Sequence, residues 1–166
     1  MPDYVNWLRH ASPYINAHRD CTFVVMLPGD GVDHPNFGNI VHDLVLLHSL
    51  GVRLVLVHGS RPQIEARLEA RGLNPVYHNG LRITDTAAME CAKEAAGELR
   101  LDIEAAFSQG LPNTPMSHAA IRLISGNFIT ARPLGVIDGV DLELTGITRK
   151  VDAETIHSIL GSDGLV

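Results

Sequence analysis

Short apolar runs that alternate with amphipathic helical segments are the feature that most restricts the fold of this sequence. The runs TFVVML at 22–27 and VRLVLV at 52–57 are rich in β-formers. Each follows a segment whose apolar residues recur three or four positions apart. Such alternation is typical of βαβ units, in which helices cover both faces of a parallel sheet. The pattern therefore predicts an α/β fold around a parallel sheet.

Further elements follow from the same periodicity and from turn residues. We predict short strands at 75–77 and 120–124, and helices at 3–18, 38–50, 61–71, 85–109 and 152–160. Pro13 is expected to kink or restart the first helix, and Asp152 to cap the last. Within the alternating stretch 127–150, Asp138-Gly139 predicts a hairpin turn.

The overall charge argues against two classes of partner. The 166 residues include 13 basic and 19 acidic side chains, which gives a net charge of −6 without any basic run. Neither nucleic acid nor an anionic membrane is expected as a partner, because both require a basic face. No apolar run approaches the roughly 18 residues that span a bilayer, and no secretory leader is visible. The two cysteines suggest reduced thiols, so we expect a cytoplasmic protein.

Three glycine-containing loops follow predicted strands, at the edge where open α/β sheets bind ligands. Glycine lets a ligand approach the backbone, helix N-termini offer free N–H groups, and Arg82 could pair with a carboxylate. Each loop could equally be a plain connecting turn. No catalytic residue and no metal ligand is predicted. The candidate pocket residues are Gly29, His58, Gly59, Ser60, Arg61, Asn79, Gly80 and Arg82.

The second loop has features that favour helix initiation over the binding of a large anion. Ser60 and Gln63 fit a capping box, and Pro62 falls in the first helical turn. Both features remove N–H donors, so the loop has room for at most a small anion. The sequence has eleven Arg but only two Lys, and none of the predicted strand-end loops contains a lysine. Phosphoryl transfer needs such cations, and the GxxxxGK[ST] and GxGxxG motifs of nucleotide and NAD sites are absent.

These motifs resemble those of the amino-acid-kinase family, and within it those of the bacterial N-acetylglutamate synthases. The similar segments are HGSRPQI at 58–64, NGLRIT at 79–84, LDI at 101–103, SGNFI at 125–129 and RPLGV at 132–136. Active kinases of the family carry Lys-Leu-Gly-Gly and His-Gly-Gly-Gly loops. This sequence has Met26-Leu27-Pro28-Gly29 and His58-Gly59-Ser60-Arg61 instead, so the catalytic lysine is missing and two glycines are replaced.

The resemblance implies a three-layer parallel-sheet sandwich of the acetylglutamate-kinase type, truncated in this chain. It implies a parent enzyme that transfers acetyl from acetyl-CoA to L-glutamate in the first step of arginine synthesis, with arginine as a feedback inhibitor. Residues 1–20 would be an oligomerisation helix in a hexamer, and residues 21–166 the first portion of the kinase-like domain. Tyr14 is the candidate arginine contact that the resemblance suggests.

The acetyltransferase domain of such an enzyme is not expected within this chain. The nearest match to its R-x-x-G-x-G/A loop is 132–137, where Ile137 occupies the last position. We therefore expect no cofactor here, no catalysis by residues 1–166 alone, and weak arginine binding or none. Residues 161–166 are typical of a loop that leads into another strand, so we expect the chain to continue. The alternatives are an active acylamino-acid kinase with other groups in place of lysine, and a module for assembly only.

Overall fold

The computed structural model describes residues 3–109 and 121–166. Its helices are α1 (Asp3–His18), α2 (Gly29–Val32), α3 (Phe37–Ser49), α4 (Arg61–Ala70), α5 (Thr86–Ser108) and α6 (Ala153–Gly161). Its strands are β1 (Thr22–Leu27), β2 (Arg53–His58), β3 (Val76–His78), β4 (Leu81–Ile83), β5 (Arg122–Leu123), β6 (Ile129–Pro133), β7 (Val136–Ile137), β8 (Val140–Asp141), β9 (Gly146–Val151) and β10 (Gly164–Leu165). The predicted elements are therefore present with bounds that differ by at most two residues, except that residue 120 of one predicted strand lies outside the described residues.

Four parallel strands form the main sheet. β1 pairs with β2 from Thr22–Arg53 to Leu27–His58. On the other side of β2, the N–H of Leu56 donates to Val166 O at 2.6 Å, and the N–H of Val166 donates to Leu54 O at 3.2 Å. This staggered pattern is that of parallel strands. β10 also pairs in parallel with β5. The order β1-β2-β10-β5 places the carboxyl ends of all four strands at one edge.

Helices α3 and α5 cover one face of this sheet. Asp85 caps α5 as its carboxylate accepts the N–H of Ala88 at 2.7 Å. The buried residues of α5 recur at three- or four-residue spacing, as an amphipathic helix requires: Ala88, Cys91, Ala95, Leu99, Ile103 and Phe107. The last three join residues of α3, β2 and β10 in one apolar core, whereas the first three pack with α4.

The structure corrects the prediction for residues 79–82. Strands β3 and β4 pair antiparallel, with Tyr77 opposite Arg82. Asn79 and Gly80 form the turn between them with φ of +51° and +78°, the left-handed pair of a two-residue hairpin. The expected strand-end loop is therefore a hairpin, and Arg82 belongs to a strand. The prediction was wrong because it treated Asn79-Gly80 as part of a loop, although an Asn-Gly pair is a signal for a two-residue hairpin turn.

The remaining predictions can be compared directly with the structure. The hairpin turn at Asp138-Gly139 is confirmed between β7 and β8. The Asp152 carboxylate caps α6 by accepting the N–H of Thr155 at 3.1 Å. Helix α1 continues through Pro13 as one element and buries no residue, so the restart is absent and a kink at Pro13 stays a prediction. Within the described residues, no helix is both long and apolar enough to cross a membrane.

Candidate functional site

The loops after β1 and β2 lie directly against each other. The N–H of Gly59 donates to Leu27 O at 2.8 Å. A Cβ atom on Gly59 would lie 3.3 Å from the backbone nitrogen of Gly29, and a Cβ on Gly29 would lie 3.1 Å from Gly59 O. The two glycines thus permit close approach of the two loops to each other. We call Gly29, Gly59 and the adjoining Gln63 side chain the glycine contact.

Gln63 fills the remaining space beside Gly29. Its Nε2 donates to Gly29 O at 2.7 Å and to the Asp33 carboxylate at 2.6 Å. A Cβ on Gly29 would meet Gln63 Oε1 at 2.6 Å and Pro62 Cδ at 3.0 Å. These side chains of α4 occupy the space directly beside the Gly29 backbone.

The predicted capping box is wrong, although Pro62 does lie in the first turn of α4. Ser60 makes no side-chain hydrogen bond at the start of the helix. The capping box requires the Gln63 side chain to turn back to Ser60, but this side chain bonds Gly29 and Asp33, at the two ends of α2. The sequence predicted the start of α4 correctly, but it did not reveal the contact of Gln63 with Gly29, 34 positions away.

Four side chains from α4, β3 and β4 form a second group at this edge, which we call the arginine cluster: Arg61, Glu65, Tyr77 and Arg82. Glu65 Oε1 accepts from Arg61 Nε at 3.2 Å, from Arg82 Nη2 at 3.3 Å and from the hydroxyl of Tyr77. Arg82 Nη2 also donates to the Tyr77 hydroxyl at 3.0 Å. The guanidinium carbons of Arg61 and Arg82 lie 4.7 and 5.6 Å from the centre of the Tyr77 ring.

The contacts within the arginine cluster favour its charged forms. The Tyr77 hydroxyl lowers the pKa of the Glu65 carboxyl, and Arg61 and Arg82 lower it further, against an opposing effect of burial. The neighbouring Tyr77, followed by Glu65, raises the pKa of Arg61. Donors to a carboxylate stabilise its ionised form, so Glu65 stays negative beside two positive charges.

The structure separates the other predicted pocket residues. His58 ends β2 and is half-buried, and its Nδ1 is buried without a hydrogen-bond partner within 3–109 and 121–166. Asn79 Nδ2 donates to Asp138 at 2.8 Å, which joins the tips of the two hairpins, and Gly80 is exposed beside it. Tyr14 lies on α1 and is 71% exposed.

Sequence reasoning missed the roles of Glu65 and Tyr77, although two signals pointed to them. Glu65 lies four residues after Arg61 in a helix, the spacing of ion pairs. A two-residue turn at Asn79-Gly80 places Tyr77 opposite Arg82 in the hairpin register. These signals place Glu65 beside Arg61 and Tyr77 beside Arg82, and both arginines were already candidate site residues.

Two further observations limit what this edge can do chemically. The two lysines, Lys93 on α5 and Lys150 on β9, are both exposed and outside the strand-end loops. Among residues 3–109 and 121–166, no three His, Cys, Asp or Glu side chains are grouped as metal ligands.

A cavity of about 420 Å³ lies between α4 and α5 and includes Arg67, which pairs there with Glu98.

Comparison with known proteins identifies the family. The sequence profile of the amino acid kinase family matches residues 22–166. Amino-acid acetyltransferases of Pseudomonas fluorescens (strain SBW25) and Pseudomonas putida (strain GB-1) are 68% and 67% identical over all 166 residues. The chain spans 38% of the length of each of these curated relatives.

A solved structure agrees with these matches. N-acetylglutamate synthase from Neisseria gonorrhoeae, complexed with coenzyme A and L-arginine, is 37% identical and superposes with a TM-score of 0.85. The superposition covers 98% of this chain and 38% of that one. The resemblance to bacterial N-acetylglutamate synthases and the predicted fold class are thus confirmed, and the chain belongs to the amino acid kinase family.

Proposed function

We propose that this chain is the first portion of a kinase-like regulatory domain in an N-acetylglutamate synthase. The whole enzyme would transfer acetyl from acetyl-CoA to the α-amine of L-glutamate in the first step of arginine synthesis, in the cytoplasm. The observation that carries the proposal is the identity of 66–68% to amino-acid acetyltransferases along the entire chain.

The geometry of the strand-end edge supports a role other than phosphoryl transfer. The backbone of Gly29 faces Gln63, Pro62 and Gly59, and the guanidinium groups of Arg61 and Arg82 are paired with Glu65. Phosphoryl transfer requires free N–H donors and cations around the moving group. The proposed domain therefore acts by binding or assembly, and residues 1–166 alone are catalytically inactive in this proposal.

A regulatory role for arginine is supported by the neighbouring structure, whose complex contains L-arginine. Tyr14 is the proposed contact on α1, where its side chain is available at 71% exposure. The degenerate loops at Gly29 and His58–Arg61 are proposed as a remnant of a ligand pocket, kept for folding and for transmitting the effect of arginine.

An assembly role is favoured by the surface of α1. This helix buries none of its residues, and it exposes large apolar side chains along its length: Tyr4, Trp7, Leu8 and Tyr14. Exposed aromatic side chains are typical of protein–protein interfaces. We propose that residues 1–20 link copies of the chain in a homo-oligomer, with a hexamer as the expected form.

The acetyl-transfer proposal is tested on the intact gene product with acetyl-CoA and L-glutamate. We expect glutamate-dependent release of the coenzyme A thiol, and L-arginine should reduce its rate. Thiol release that does not depend on glutamate would contradict the proposal.

The proposed regulatory contact has a matched control on the same helix. Tyr14→Ala is expected to weaken arginine inhibition, whereas Asn16→Ala, which removes an exposed polar side chain of the same helix, should leave it unchanged. Equal loss of inhibition in both variants would reject Tyr14 as a specific contact.

Deletion of residues 1–18 should reduce the particle mass in light scattering while acetyl transfer persists.

A further inference from the structure

The arginine cluster holds one carboxylate in the manner of a ligand. Three donors from three elements converge on Glu65 Oε1: Arg61 Nε at the start of α4, the Tyr77 hydroxyl on β3 and Arg82 Nη2 on β4. Two guanidinium groups and a hydroxyl that meet at one oxygen are a typical arrangement for recognising an external carboxylate or another small oxyanion. In this chain the oxygen comes from the protein itself.

The charge balance shows that Glu65 is the only group in the cluster that offsets the two arginines. Without Glu65, the cluster would contain two positive charges and no negative one. Arg82 could not escape to solvent, because its side chain is only 14% exposed, whereas those of Arg61 and Glu65 are 64% and 40% exposed. Arg82 Nε is buried and has no hydrogen-bond partner in the described part of the chain. An uncompensated, largely buried cation attracts an anion strongly.

The position of the cluster places this charge next to the strand-end loops. Arg61 follows Gly59 and Ser60 directly, and Glu65 lies one turn further along α4. The exposed side of Arg61 and Glu65 gives a small ion a route to Arg82 if the carboxylate is removed.

We propose that Glu65 is a built-in carboxylate that occupies an anion site formed by Arg61, Tyr77 and Arg82 and thereby excludes small oxyanions from it. The site is closed by an internal ion pair, and it opens when the Glu65 charge is lost. This inference concerns the cluster alone and does not depend on the proposed acetyl transfer.

The test measures sulfate binding to the intact gene product by equilibrium dialysis against labelled sulfate at constant ionic strength. Glu65→Gln removes the charge and keeps the shape of the side chain, and Glu65→Met is a second variant of similar size. Glu69→Gln is the control, because Glu69 is an exposed carboxylate on the same helix. Melting curves and circular dichroism identify the variants that keep the fold.

Glu65→Gln and Glu65→Met are expected to bind one sulfate per chain at least about tenfold more tightly than the unchanged protein or Glu69→Gln, which is a difference of about 1.4 kcal/mol. Adding Arg61→Gln to Glu65→Gln should abolish the gain, since Arg61 is exposed and its loss spares the core. Saturable sulfate binding by the unchanged protein that Arg61→Gln removes would overturn the proposal, whether or not the Glu65 variants fold. Equal binding by folded Glu65→Gln and Glu69→Gln would also overturn it and leave Glu65 as an ordinary surface ion pair.

Discussion

The glycine contact and the arginine cluster lie at the same edge of the structure but are closed by different physical means. At the glycine contact, neutral atoms fill the space, and a single added methyl group would meet three neighbours. In the arginine cluster, one carboxylate on α4 is shared by two guanidinium groups, one on α4 and one on β4. The glycine contact can be opened only by removing side-chain volume, whereas the arginine cluster can be opened by removing a charge.

The largest effect is expected from adding volume at the glycine contact. Gly29→Ala should destabilise the protein by about 1–3 kcal/mol, because overpacking forces neighbouring groups to move. The new Cβ would lie 2.6 Å from Gln63 Oε1, at the end of a flexible type of side chain, but also 3.0 Å from the Pro62 ring and 3.1 Å from backbone. The measurement is the free energy of unfolding by urea titration.

Gly38 provides the control for this substitution. It lies in the first turn of α3, and a Cβ there would meet nothing within 4 Å. Gly38→Ala should therefore be neutral or stabilising by about 0.5–1 kcal/mol. If both alanine variants unfold alike, the two loops are not in close contact.

A second comparison concerns the starts of α4 and α5. Asp85→Ala should cost about 1 kcal/mol, because the Asp85 carboxylate accepts the N–H of Ala88 at 2.7 Å. Ser60→Ala should cost less than about 0.5 kcal/mol, the usual range for a substitution that removes no specific contact. If Ser60→Ala destabilises the protein as much as Asp85→Ala, Ser60 caps α4 as the sequence predicted.

The third effect is a pH dependence at the arginine cluster. The pKa of Glu65 is lowered in the folded state, first by the Tyr77 hydroxyl. A lowered carboxyl pKa contributes stability above the ordinary value of about 4.3, and this contribution is lost as the pH falls through the folded pKa. Glu65→Gln should thus lower the melting temperature at pH 7, and its difference from the unchanged protein should shrink below about pH 4.

The size of this effect should be smaller than that of Asp85→Ala, since Glu65 is 40% exposed and water screens the pair. Glu69→Gln serves as the control and should show no such convergence at low pH. A Glu65→Gln difference that stays constant as the pH falls below about 4 would show that the carboxylate is not held by the cluster.

The smallest effect is expected at the tips of the hairpins. Asn79→Ala removes the hydrogen bond to Asp138 and places alanine at a φ of +51°, so it should cost about 1 kcal/mol or less in this exposed turn. Melting curves give the change, with Asn74→Ala as the control in a nearby exposed loop. If Asn79→Ala does not lower the melting temperature, the hydrogen bond between the two hairpins contributes nothing measurable to stability.

The pattern of success and failure in reading the sequence has a physical explanation. Strand β1 and the cap at Asp152 depend on neighbours in the chain, so periodicity and local hydrogen bonding predicted them. Gln63 was assigned to a local cap but bonds Gly29, 34 positions away, and Glu65 bonds Tyr77 and Arg82 on two other elements. Such contacts depend on where elements meet in the fold, which spacing alone does not give.

The central claim is that the chain's own side chains occupy the kinase-like edge, so that it cannot support phosphoryl transfer. The most direct test incubates the intact gene product with ATP, Mg²⁺ and N-acetyl-L-glutamate, and traps any acyl phosphate with hydroxylamine. We predict no hydroxamate above the enzyme-free control, while the same preparation releases the coenzyme A thiol from acetyl-CoA and L-glutamate. ATP-dependent hydroxamate that accumulates with turnover would contradict the claim and support an acylamino-acid kinase.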